Sequence, residues 1–462
     1  MSTITRVATG ESEQKEGSKV PEIVTIKTDS VVFREDLYPR IETSAATVQK
    51  YAEDLSVLPP VEVNQHNALI DGWHRWTAHK KNGVEDIAAV VIETGSDAEL
   101  LELAIEKNAI HGLQMSQADK RDMARKIYTA TPIDEQADKK KRLAEILSVT
   151  PQTIQNWLSR IDKDNKEQRN ATVAGMWMAC RTEQEIANAV GLTQRAVGRV
   201  LEEFQKFGLV LKPGEFAEVE DDAERKEVIE EAYTARASHE TDFDPPIYNV
   251  WKQQSKSTDV DHFGNSEPRW VDNLLYVYTS PFDIVLDPFG GGGSTIDVCC
   301  QRFRRYLVSD RLPIVEREKE IRQHDIKGGP LKPPQWKDVK LVYLDPPYWK
   351  QAEGQYSDDA DDLANQSLED FTVNLATLVK QYSAKLSNAW IALIIQPTQW
   401  KAPERQFTDH VGDMLRAVKL PVEMRYSVPY ESQQCTAQMV EWAKENKRCL
   451  VLSREIVVWR VK

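Results

Sequence analysis

The sequence is poor in cysteine and has no long apolar run. Five of its 462 residues are cysteines, at positions 180, 299, 300, 435 and 449, and they follow no metal-ligand spacing. We therefore expect no metal site and reduced thiols in a cytoplasmic protein. No apolar stretch is long enough to cross a bilayer, and residues 1–20 lack the apolar core of a signal peptide. We expect these 20 residues to be a disordered tail.

A large positive charge is also absent. The net charge of −14 argues against a uniformly basic nucleic-acid surface, because phosphate binding depends on Lys and Arg. Any DNA contact must then be local. Lys139, Lys140, Lys141 and Arg142 form one basic concentration, although such a run is more often a solvated helix face. The length and the 41% apolar content indicate a soluble protein of several domains.

Short β-prone runs mark the beginning of the chain. They lie at 23–26, 61–63, 68–70 and 87–92 and alternate with short helical patterns. We predict a small α+β domain over residues 21–115. Helical spacing then dominates to about residue 207.

Two helix-turn-helix patterns lie in this helical region. The first is predicted over 116–170, with Thr150 as N-cap and Pro151 opening a helix to residue 160. The second is predicted over 171–212, with a capping box at Thr182, a break at Gly191 and a restart at Thr193. The polar side chains that would reach DNA are Gln152, Thr153, Gln155 and Asn156 in the first copy and Gln194, Arg195 and Arg199 in the second. A plain helical hairpin remains the alternative for either copy.

The character of the chain changes again after residue 212. Residues 213–245 are acidic, which is typical of a solvated helix or a linker and predicts a domain boundary. Residues 246–462 alternate buried strands with helices, which predicts a parallel α/β sheet. The strand at 284–286 ends in Asp287, Pro288 and Phe289, and four glycines with Ser294 follow. A strand, a glycine turn and a helix in this order are typical of a nucleotide-type site. A second strand ends at Asp310, which is spaced to accept ribose hydroxyls.

A further strand at 341–344 ends in the run Asp345, Pro346, Pro347 and Tyr348. The Asp345 carboxylate and the Pro346 carbonyl are placed to accept the two N–H bonds of an exocyclic amine, while Tyr348 stacks on the base. In isolation the run would be a turn after a strand. Beside the glycine turn and Asp310, it indicates methyl transfer to an amine.

Residues 287–294 and 345–348 resemble two motifs of the DNA amino-methyltransferases, D-P-F-x-G-x-G-[TS] and [DNS]-P-P-[YF]. The resemblance covers about residues 248–462. It implies a Rossmann-like domain with a seven-stranded sheet that binds S-adenosylmethionine. The cofactor contacts would be Asp287, Pro288, Phe289, Gly291, Gly293, Ser294, Asp310 and Asp325, with Asp325 at the adenine. Residues 263–279 resemble the lead-in to the first motif, and 454–461 resemble the last antiparallel strand.

The run from Gly72 to Ala78 resembles the G-x-x-R-x-x-A box of the ParB and sulfiredoxin superfamily. A second box of that superfamily, E-N-x-x-R, corresponds to Lys107, Asn108 and His111, with Lys and His replacing its Glu and Arg. The resemblance implies a nucleotide site, for which CTP is the candidate ligand. The residues concerned would be Gly72, His74, Arg75 and Asn108. A structural turn in a degenerate domain is an equal alternative.

Together these patterns predict a cytoplasmic methyltransferase that acts on adenine N6 in double-stranded DNA and has no membrane contact. Cytosine N4 or RNA as acceptor, and a non-catalytic ParB-like regulator, are the competing hypotheses. The acidic residue of the Asp345 motif favours adenine through the resemblance, because members that act on cytosine more often carry Ser there. The sequence leaves the oligomeric state open, with a homodimer as one option.

Overall fold

The chain has two compact units, Met1–Lys166 and Glu167–Lys462. The computed structural model describes residues 23–39, 44–110, 116–133, 135–208, 215–216, 218–219, 221–252, 267–351, 353–354, 356–400, 406–430 and 436–462, without the side chains of 108–110, 400 and 406. The predicted tail at 1–20 lies outside the described residues.

The first unit begins with a four-stranded sheet. Its strands are β1 (Ile23–Lys27), β2 (Val61–Val63), β3 (Leu69–Asp71) and β4 (Asp86–Val91), in the spatial order β1-β4-β2-β3. Helices α1 (Ala45–Glu53) and α2 (Trp73–Lys81) accompany them. Val61, Val63 and Trp76 belong to the buried core of this sheet. The four predicted strands are confirmed within a residue or two at their ends.

Four helices follow in the chain. They are α3 (Asp97–Ile110), α4 (Gln117–Ala130), α5 (Gln136–Ile146) and α6 (Pro151–Met178). In the first unit they bury one cluster that includes Ile105, Ile127, Leu143 and Leu158. A capping box at Ser116 begins α4, where the Ser116 hydroxyl accepts from the backbone N–H of Asp119.

The prediction that α6 ends at residue 160 is wrong. The helix runs 28 residues to Met178, so the predicted domain boundary between 170 and 171 falls inside it. Residues 161–174 contain neither glycine nor proline, and nothing in this stretch stops a helix. Val173 and Trp177 near its end belong to the core of the second unit.

The second unit continues with α7 (Glu183–Val190), α8 (Gln194–Phe207) and α9 (Asp222–Ala237). The last of these lies in the acidic region at 213–245, for which the composition suits either a solvated helix or a linker. Tyr233 of α9 packs edge-on against Phe303 at a ring-centroid distance of 4.8 Å, and Ala237 is buried. Acidic residues occupy the exposed face of α9, so the charge reflects one face of a packed helix.

A seven-stranded sheet forms the centre of the second unit, as predicted. In spatial order its strands are β12-β13-β9-β8-β5-β6-β7, and β5 to β9 pair in parallel whereas β13 is antiparallel to β9 and β12. The strands are β5 (Ile284–Asp287), β6 (Arg305–Asp310), β7 (Arg322–Gln323), β8 (Val339–Leu344), β9 (Ala389–Ile395), β12 (Val422–Pro429) and β13 (Ser453–Val461). A separate hairpin joins β10 (Thr398–Trp400) and β11 (Gln406–Thr408).

Helices cover both faces of this sheet. They are α10 (Pro268–Tyr278), α11 (Ser294–Gln301), α12 (Leu368–Ser383) and α13 (His410–Val418), and α14 (Ala437–Glu445) lies between β12 and β13 in the chain. Val285 packs in the core that contains α10 and α11, whereas Ile284 and Leu286 pack in the core that contains α12 and α13. Strand residues alternate between faces, so a strand covered on both sides is continuously apolar. None of the described helices is both long and apolar enough to span a membrane.

Candidate functional site

A cavity lies at the carboxyl ends of the parallel strands of the second unit. The chain extends the sheet in one direction from β5 through β6 to β7, and in the other through β8 and β9, so the strand order reverses between β5 and β8. Ligands of open α/β sheets bind at such a reversal. The cavity has a volume of about 740 Å³, and Asp287, Asp310 and Asp345 reach it from the ends of β5, β6 and β8.

The glycine turn after β5 forms one wall of this cavity. Gly293 has a φ of 87°, a left-handed backbone conformation that residues other than glycine rarely adopt. A Cβ on Gly290 would lie 2.7 Å from Cγ1 of Val308, so the turn could not pass β6 with a larger residue. Ser294 then opens α11, whose first backbone N–H groups have no partner within the helix.

Asp287 supports the turn from inside the protein. Its side chain is 2% exposed; Oδ2 accepts from the Thr295 hydroxyl over 2.6 Å, and Oδ1 accepts from the Phe289 backbone N–H over 2.9 Å. Burial raises the pKa of this carboxyl to about 7, and the two hydrogen bonds oppose that rise. The residue therefore joins strand, turn and helix.

Asp310 and Asp325 lie farther along the same wall. Oδ2 of Asp310 accepts from the Gly291 backbone N–H over 3.0 Å, and its Oδ1 accepts from the Leu312 N–H over 2.9 Å. Asp325 follows β7 and accepts from the Lys327 backbone N–H over 2.9 Å. Both carboxylates are half-buried and line the cavity.

The motif after β8 forms a neighbouring part of the lining. Asp345 and Pro347 line the cavity, whereas Pro346 and Tyr348, which are also described, do not. The Tyr348 hydroxyl donates to Oδ1 of Asp345 over 3.1 Å. Burial, together with the negative charge of Asp345, raises the pKa of Tyr348 well above its usual value. The structure thus shows Tyr348 bonded to Asp345, and its stacking on a base stays a prediction.

The structure brings most of the predicted cofactor and catalytic residues to one cavity. Those that line it are Asp287, Pro288, Phe289, Gly291, Ser294, Asp310, Asp325, Asp345 and Pro347. Gly293, Pro346 and Tyr348 directly adjoin lining residues in the chain. Of the predicted lead-in at 263–279, residues 263–266 lie outside the described residues and the rest is mainly α10.

Several lining residues were missed by the sequence reasoning. Asn374, Thr377 and Gln381 project from α12, and Arg311, Lys327 and Tyr356 come from loops. The three residues of α12 recur at helical spacing and are exposed while Leu375 and Leu378 are buried. The sequence shows this polar stripe on α12, but nothing in the sequence indicates that the stripe lies near the glycine turn.

Ion pairs join the loop that follows Trp349 to the wall formed by β6 and β7. Arg311 pairs with Asp359, and Lys327 pairs with Asp361. Tyr356 and Leu363 of this loop line the cavity. The four charged side chains are between 39% and 66% exposed, so each pair contributes little to stability.

The second helix-turn-helix pattern has the predicted local structure. The Thr182 hydroxyl accepts from the Glu185 N–H while the Glu185 carboxylate accepts from the Thr182 N–H, which is the capping box. Gly191 ends α7 with a φ of 65°, and Thr193 caps α8. The side chains predicted to face DNA, Gln194, Arg195 and Arg199, are all exposed on α8.

The first pattern also has its predicted cap. The Thr150 hydroxyl accepts from the Thr153 N–H over 3.1 Å. Gln152, Gln155 and Asn156 are exposed and Thr153 is half-buried. The Gln152 amide donates to Asn156 Oδ1 over 3.0 Å.

The basic run nearby is largely neutralised within the protein. Lys139 pairs with Glu102 over 2.5 Å, Lys140 pairs with Asp162 over 2.6 Å, and Arg142 pairs with Glu106. Long cations held by carboxylates are poorly disposed to bind phosphate. The structure therefore disfavours this run as a DNA contact.

The ParB-like box is held by internal contacts. Arg75 pairs with Asp71 over 2.6 Å and also donates to the backbone carbonyls of Pro59 and Pro60. His74 is buried, and its Nε2 accepts from the Ser44 backbone N–H. A Cβ on Gly72 would lie 2.8 Å from Val61.

These contacts favour the structural interpretation of the box. The second box does not decide between the two interpretations, because the Asn108 side chain, His111 and Gly112 lie outside the described residues. Lys107, which replaces the acidic residue of that box, pairs with Glu62 over 2.9 Å.

Comparison with known proteins gives a short family match. The model of bacterial regulatory proteins of the crp family matches residues 182–210, which span the α7–α8 pair. The transcriptional regulator NovG of Streptomyces niveus is 32% identical over 90 residues, or 19% of this chain and 28% of NovG. The match therefore spans 28% of the length of that relative.

Solved structures with partial likeness include a ParB N-domain and a protein named PigF. The Pnob8-like ParB N-domain is 13% identical with a TM-score of 0.27 and covers 46% of this chain and 90% of its own. The structure of PigF with SAH is 10% identical with a TM-score of 0.19 and covers 68% and 99%. At these scores the likenesses carry no argument about function, which is argued below from the site.

Proposed function

We propose that this protein transfers a methyl group from S-adenosylmethionine to adenine N6 in double-stranded DNA. The observation that carries the proposal is one cavity that joins the glycine turn and Asp310 to the Asp345 motif. A nucleotide-type pocket and a pair of amine acceptors lie at adjacent strand ends, which is what transfer between two ligands requires.

The charge of the cavity suits a cationic ligand. Its described wall carries six aspartates against three basic side chains, Arg311, Lys327 and the histidine His324. The aspartates are Asp287, Asp310, Asp325, Asp345, Asp361 and Asp362. S-adenosylmethionine bears a sulfonium and an ammonium against one carboxylate at neutral pH, so its net charge is positive. The cavity residues therefore fit this cofactor.

Individual residues are suited to its parts. Asp310 would accept the ribose hydroxyls, as acidic residues at this strand end do in nucleotide sites, and Asp325 would accept the adenine amine. The glycine turn and the first N–H groups of α11 would receive the ligand's carboxylate. Phe289, Leu363 and Leu378 supply apolar contact for the adenine ring.

When bound, S-adenosylmethionine would supply an electrophilic methyl group: its bond to sulfur breaks as the new bond to nitrogen forms, S-adenosylhomocysteine leaves, and the methylated nitrogen then loses one proton to water. Asp345 and the Pro346 carbonyl would accept the two N–H bonds of the target amine and so aim its lone pair. Pro346 and Pro347 have no backbone N–H group, so at these two positions the backbone of the turn can only accept hydrogen bonds. The conjugated amine has a poor lone pair, and a charged acceptor strengthens it more than a neutral one does.

The DNA would be bound through the helix-turn-helix segments. In the second one, Arg195 and Arg199 are exposed one helical turn apart on α8 and point to phosphate or guanine contacts. In the first, Gln152, Gln155 and Asn156 are amides, which suit adenine edges.

Sequencing with modified-base detection tests the proposal directly. DNA from cells that express the wild type should carry N6-methyladenine at a defined sequence, and DNA from cells that express Asp345→Ala should carry none. Absence of any modified base in the wild type, together with specific DNA binding, would favour the competing hypothesis of a regulator, which the match to NovG also allows.

A further inference from the structure

The second helix-turn-helix segment packs against the amino ends of the parallel strands. Phe204 of α8 and Trp177 of α6 contact the ring of Phe282, which comes just before β5, at centroid distances of 5.4 and 5.5 Å. Phe204 also lies 6.1 Å from the ring of Phe303, which comes just before β6. These aromatic contacts attach α8 to the edge of the sheet at which its parallel strands begin.

Two arginines at the same edge of the sheet hold the turn that precedes α7. Arg305, the first residue of β6, donates from Nε to the Trp177 carbonyl over 3.3 Å, and its Cζ lies 4.3 Å from the centroid of the Trp177 ring. Arg322, the first residue of β7, donates to the carbonyls of Ala179 and Cys180 over 3.2 and 3.1 Å. Hydrogen bonds therefore reinforce the apolar attachment.

The helix pair and the sheet share one hydrophobic core. Val197, Leu201 and Phe204 on one face of α8 are buried in the same cluster as Val285 of β5 and Ile296 of α11. Protein interiors are close-packed, so α8 could not swing away from the sheet without exposing this cluster. The orientation of α8 relative to the strands is therefore fixed by packing.

The cationic side chains of α8 point away from the sheet. Arg195, Arg199 and Lys206 are exposed, and at about 3.6 residues per turn they lie on the face opposite Val197 and Leu201. The cavity lies at the carboxyl ends of the same strands. The six residues of β6 span about 20 Å. With the thickness of α8 added, the cationic face and the cavity are separated by on the order of 30 Å.

One short stretch of duplex DNA cannot contact both of these surfaces. A flipped base rotates about its own backbone and so stays beside its duplex. DNA is also stiff, with a persistence length of about 150 base pairs. Even when it bends as tightly as around histones, at about 45° per 10 base pairs, it needs about 40 base pairs to reverse its direction.

We propose that one chain binds two separate stretches of duplex DNA, an anchoring stretch on the cationic face of α8 and a methylated stretch at the cavity. The two stretches belong to one DNA molecule, joined by at least about 40 base pairs, or to two molecules. This inference rests on the proposed function, which supplies the reaction at the second stretch. It explains why the helix pair is built onto the edge of the sheet that lies farthest from the cavity.

The first experiment compares methyl transfer to short and long DNA by the full chain. Both substrates carry one adenine that is modified in cells that express the protein. The short duplex has about 25 base pairs, fewer than DNA needs to bend back, and the long one is a plasmid with the surrounding genomic region. The test variant combines Arg195→Ala with Arg199→Ala. Arg416→Ala, exposed on α13, is the control.

On the plasmid, the double variant should have a kcat/KM at least about tenfold below that of the wild type, because its anchoring contacts are lost. On the short duplex, the two values should agree within about twofold, because this duplex reaches only the cavity. Arg416→Ala should match the wild type on both substrates. A tenfold loss on the short duplex would show that α8 contacts the methylated stretch, and no loss on the plasmid would show that α8 anchors nothing. Either result would overturn the proposal.

The second experiment locates both contacts without methyl transfer. A photocrosslinking amino acid replaces Gln194 of α8 in one variant and Asp358 in another. Asp358 is exposed in the loop that follows Trp349, next to Ser357 of the cavity wall. The crosslinked bases are identified by sequencing on a plasmid with a sequence that the full chain binds, in the presence of a second plasmid without it.

The two sets of crosslinks should lie at least about 40 base pairs apart on one plasmid, or on different plasmids, which distinguishes a DNA loop from two DNA molecules. Two sets that lie closer together would contradict binding of separate stretches. Lack of methyl transfer in the wild type would instead contradict the proposed function, and the crosslink positions would still test the arrangement of the two surfaces.

Discussion

The hydroxyl of Thr295 donates a 2.6 Å hydrogen bond to Oδ2 of Asp287, joining the first turn of α11 to the end of β5. Asp287 has one further donor, the Phe289 backbone N–H. Two donors do not replace the water lost by a carboxyl that is 2% exposed, and burial therefore determines the sign of its pKa change. The joint between strand, turn and helix thus contains a group that is half-protonated near pH 7.

We predict that this group makes the cofactor-free protein less stable as the pH rises. Its folded-state pKa, about 7, lies above the value near 3.9 of an unfolded chain. The penalty is therefore absent below about pH 4, grows between pH 4 and 7 and is constant above, reaching about 4 kcal/mol. Asp287→Asn should gain stability relative to the wild type across this window. Urea unfolding at pH 5 and pH 8 measures it.

Asp244→Asn is the control for that experiment, because the Asp244 side chain is 91% exposed. Its stability difference from the wild type should be the same at both pH values. A pH-independent difference for Asp287→Asn would contradict the raised pKa.

Cofactor binding and methyl transfer should separate by mutation. Asp310→Ala removes the acceptor proposed for ribose and the partner of the Gly291 N–H, so S-adenosylmethionine should bind at least about tenfold more weakly. Asp287→Ala should also weaken binding, through the turn. Asp345→Ala should keep affinity within a few-fold and lose transfer. Calorimetry with cofactor and a single-turnover assay report the two quantities, and equal loss of affinity in Asp345→Ala would refute the division of roles.

DNA affinity should depend on α8. A fragment that begins at residue 245 is not a clean test of this. Trp177 and Phe204 share a core with Val285, and removing these two residues would expose that core. Arg195→Ala combined with Arg199→Ala should instead weaken binding and reduce the salt dependence by about one unit of slope for each phosphate that is no longer neutralised. Arg416→Ala, exposed on α13, is the control. Unchanged DNA binding by the double variant would remove α8 from the interface.

The contacts of Arg75 in the ParB-like box predict that replacing this residue destabilises the protein. Arg75→Ala leaves Asp71 and two carbonyls without their partner, and we expect a loss of about 2–3 kcal/mol without any nucleotide. If Arg75 also contacts phosphate, CTP should raise the melting temperature of the wild type but not of the variant. No shift with CTP in the wild type would leave the box as a structural element.

The methylated base is predicted to be adenine. Nucleosides from DNA treated with labelled cofactor should carry label in N6-methyladenine when separated by mass spectrometry. Label in N4-methylcytosine alone would overturn the choice of base and leave methyl transfer intact. The chemistry at Asp345 serves either amine, so the preference rests on the motif.

Local elements were largely predictable because their causes lie within a few residues. The capping box at Thr182 and the left-handed Gly191 appeared as predicted, since hydrogen bonds between near neighbours determine them. The strands that end at Asp287, Asp310 and Asp345 were predictable from the sequence because buried parallel strands are continuously apolar. Helix ends were less so, as the extension of α6 to Met178 shows.

By itself the sequence determined which residues end the strands and where the chain turns, and with them the motif residues of the proposed site. Only the tertiary structure decided which distant groups meet there. Arg311 and Asp359 lie 48 residues apart in the chain, and they form an ion pair because the loop that follows Trp349 lies against the wall formed by β6 and β7. Likewise, the sequence shows a basic run at Lys139, but only the structure shows that Lys139 forms an ion pair with Glu102 on another helix. Hydrogen bonds and ion pairs form between groups that lie a few ångströms apart in space. The number of residues between two groups along the chain does not show whether the fold brings them that close.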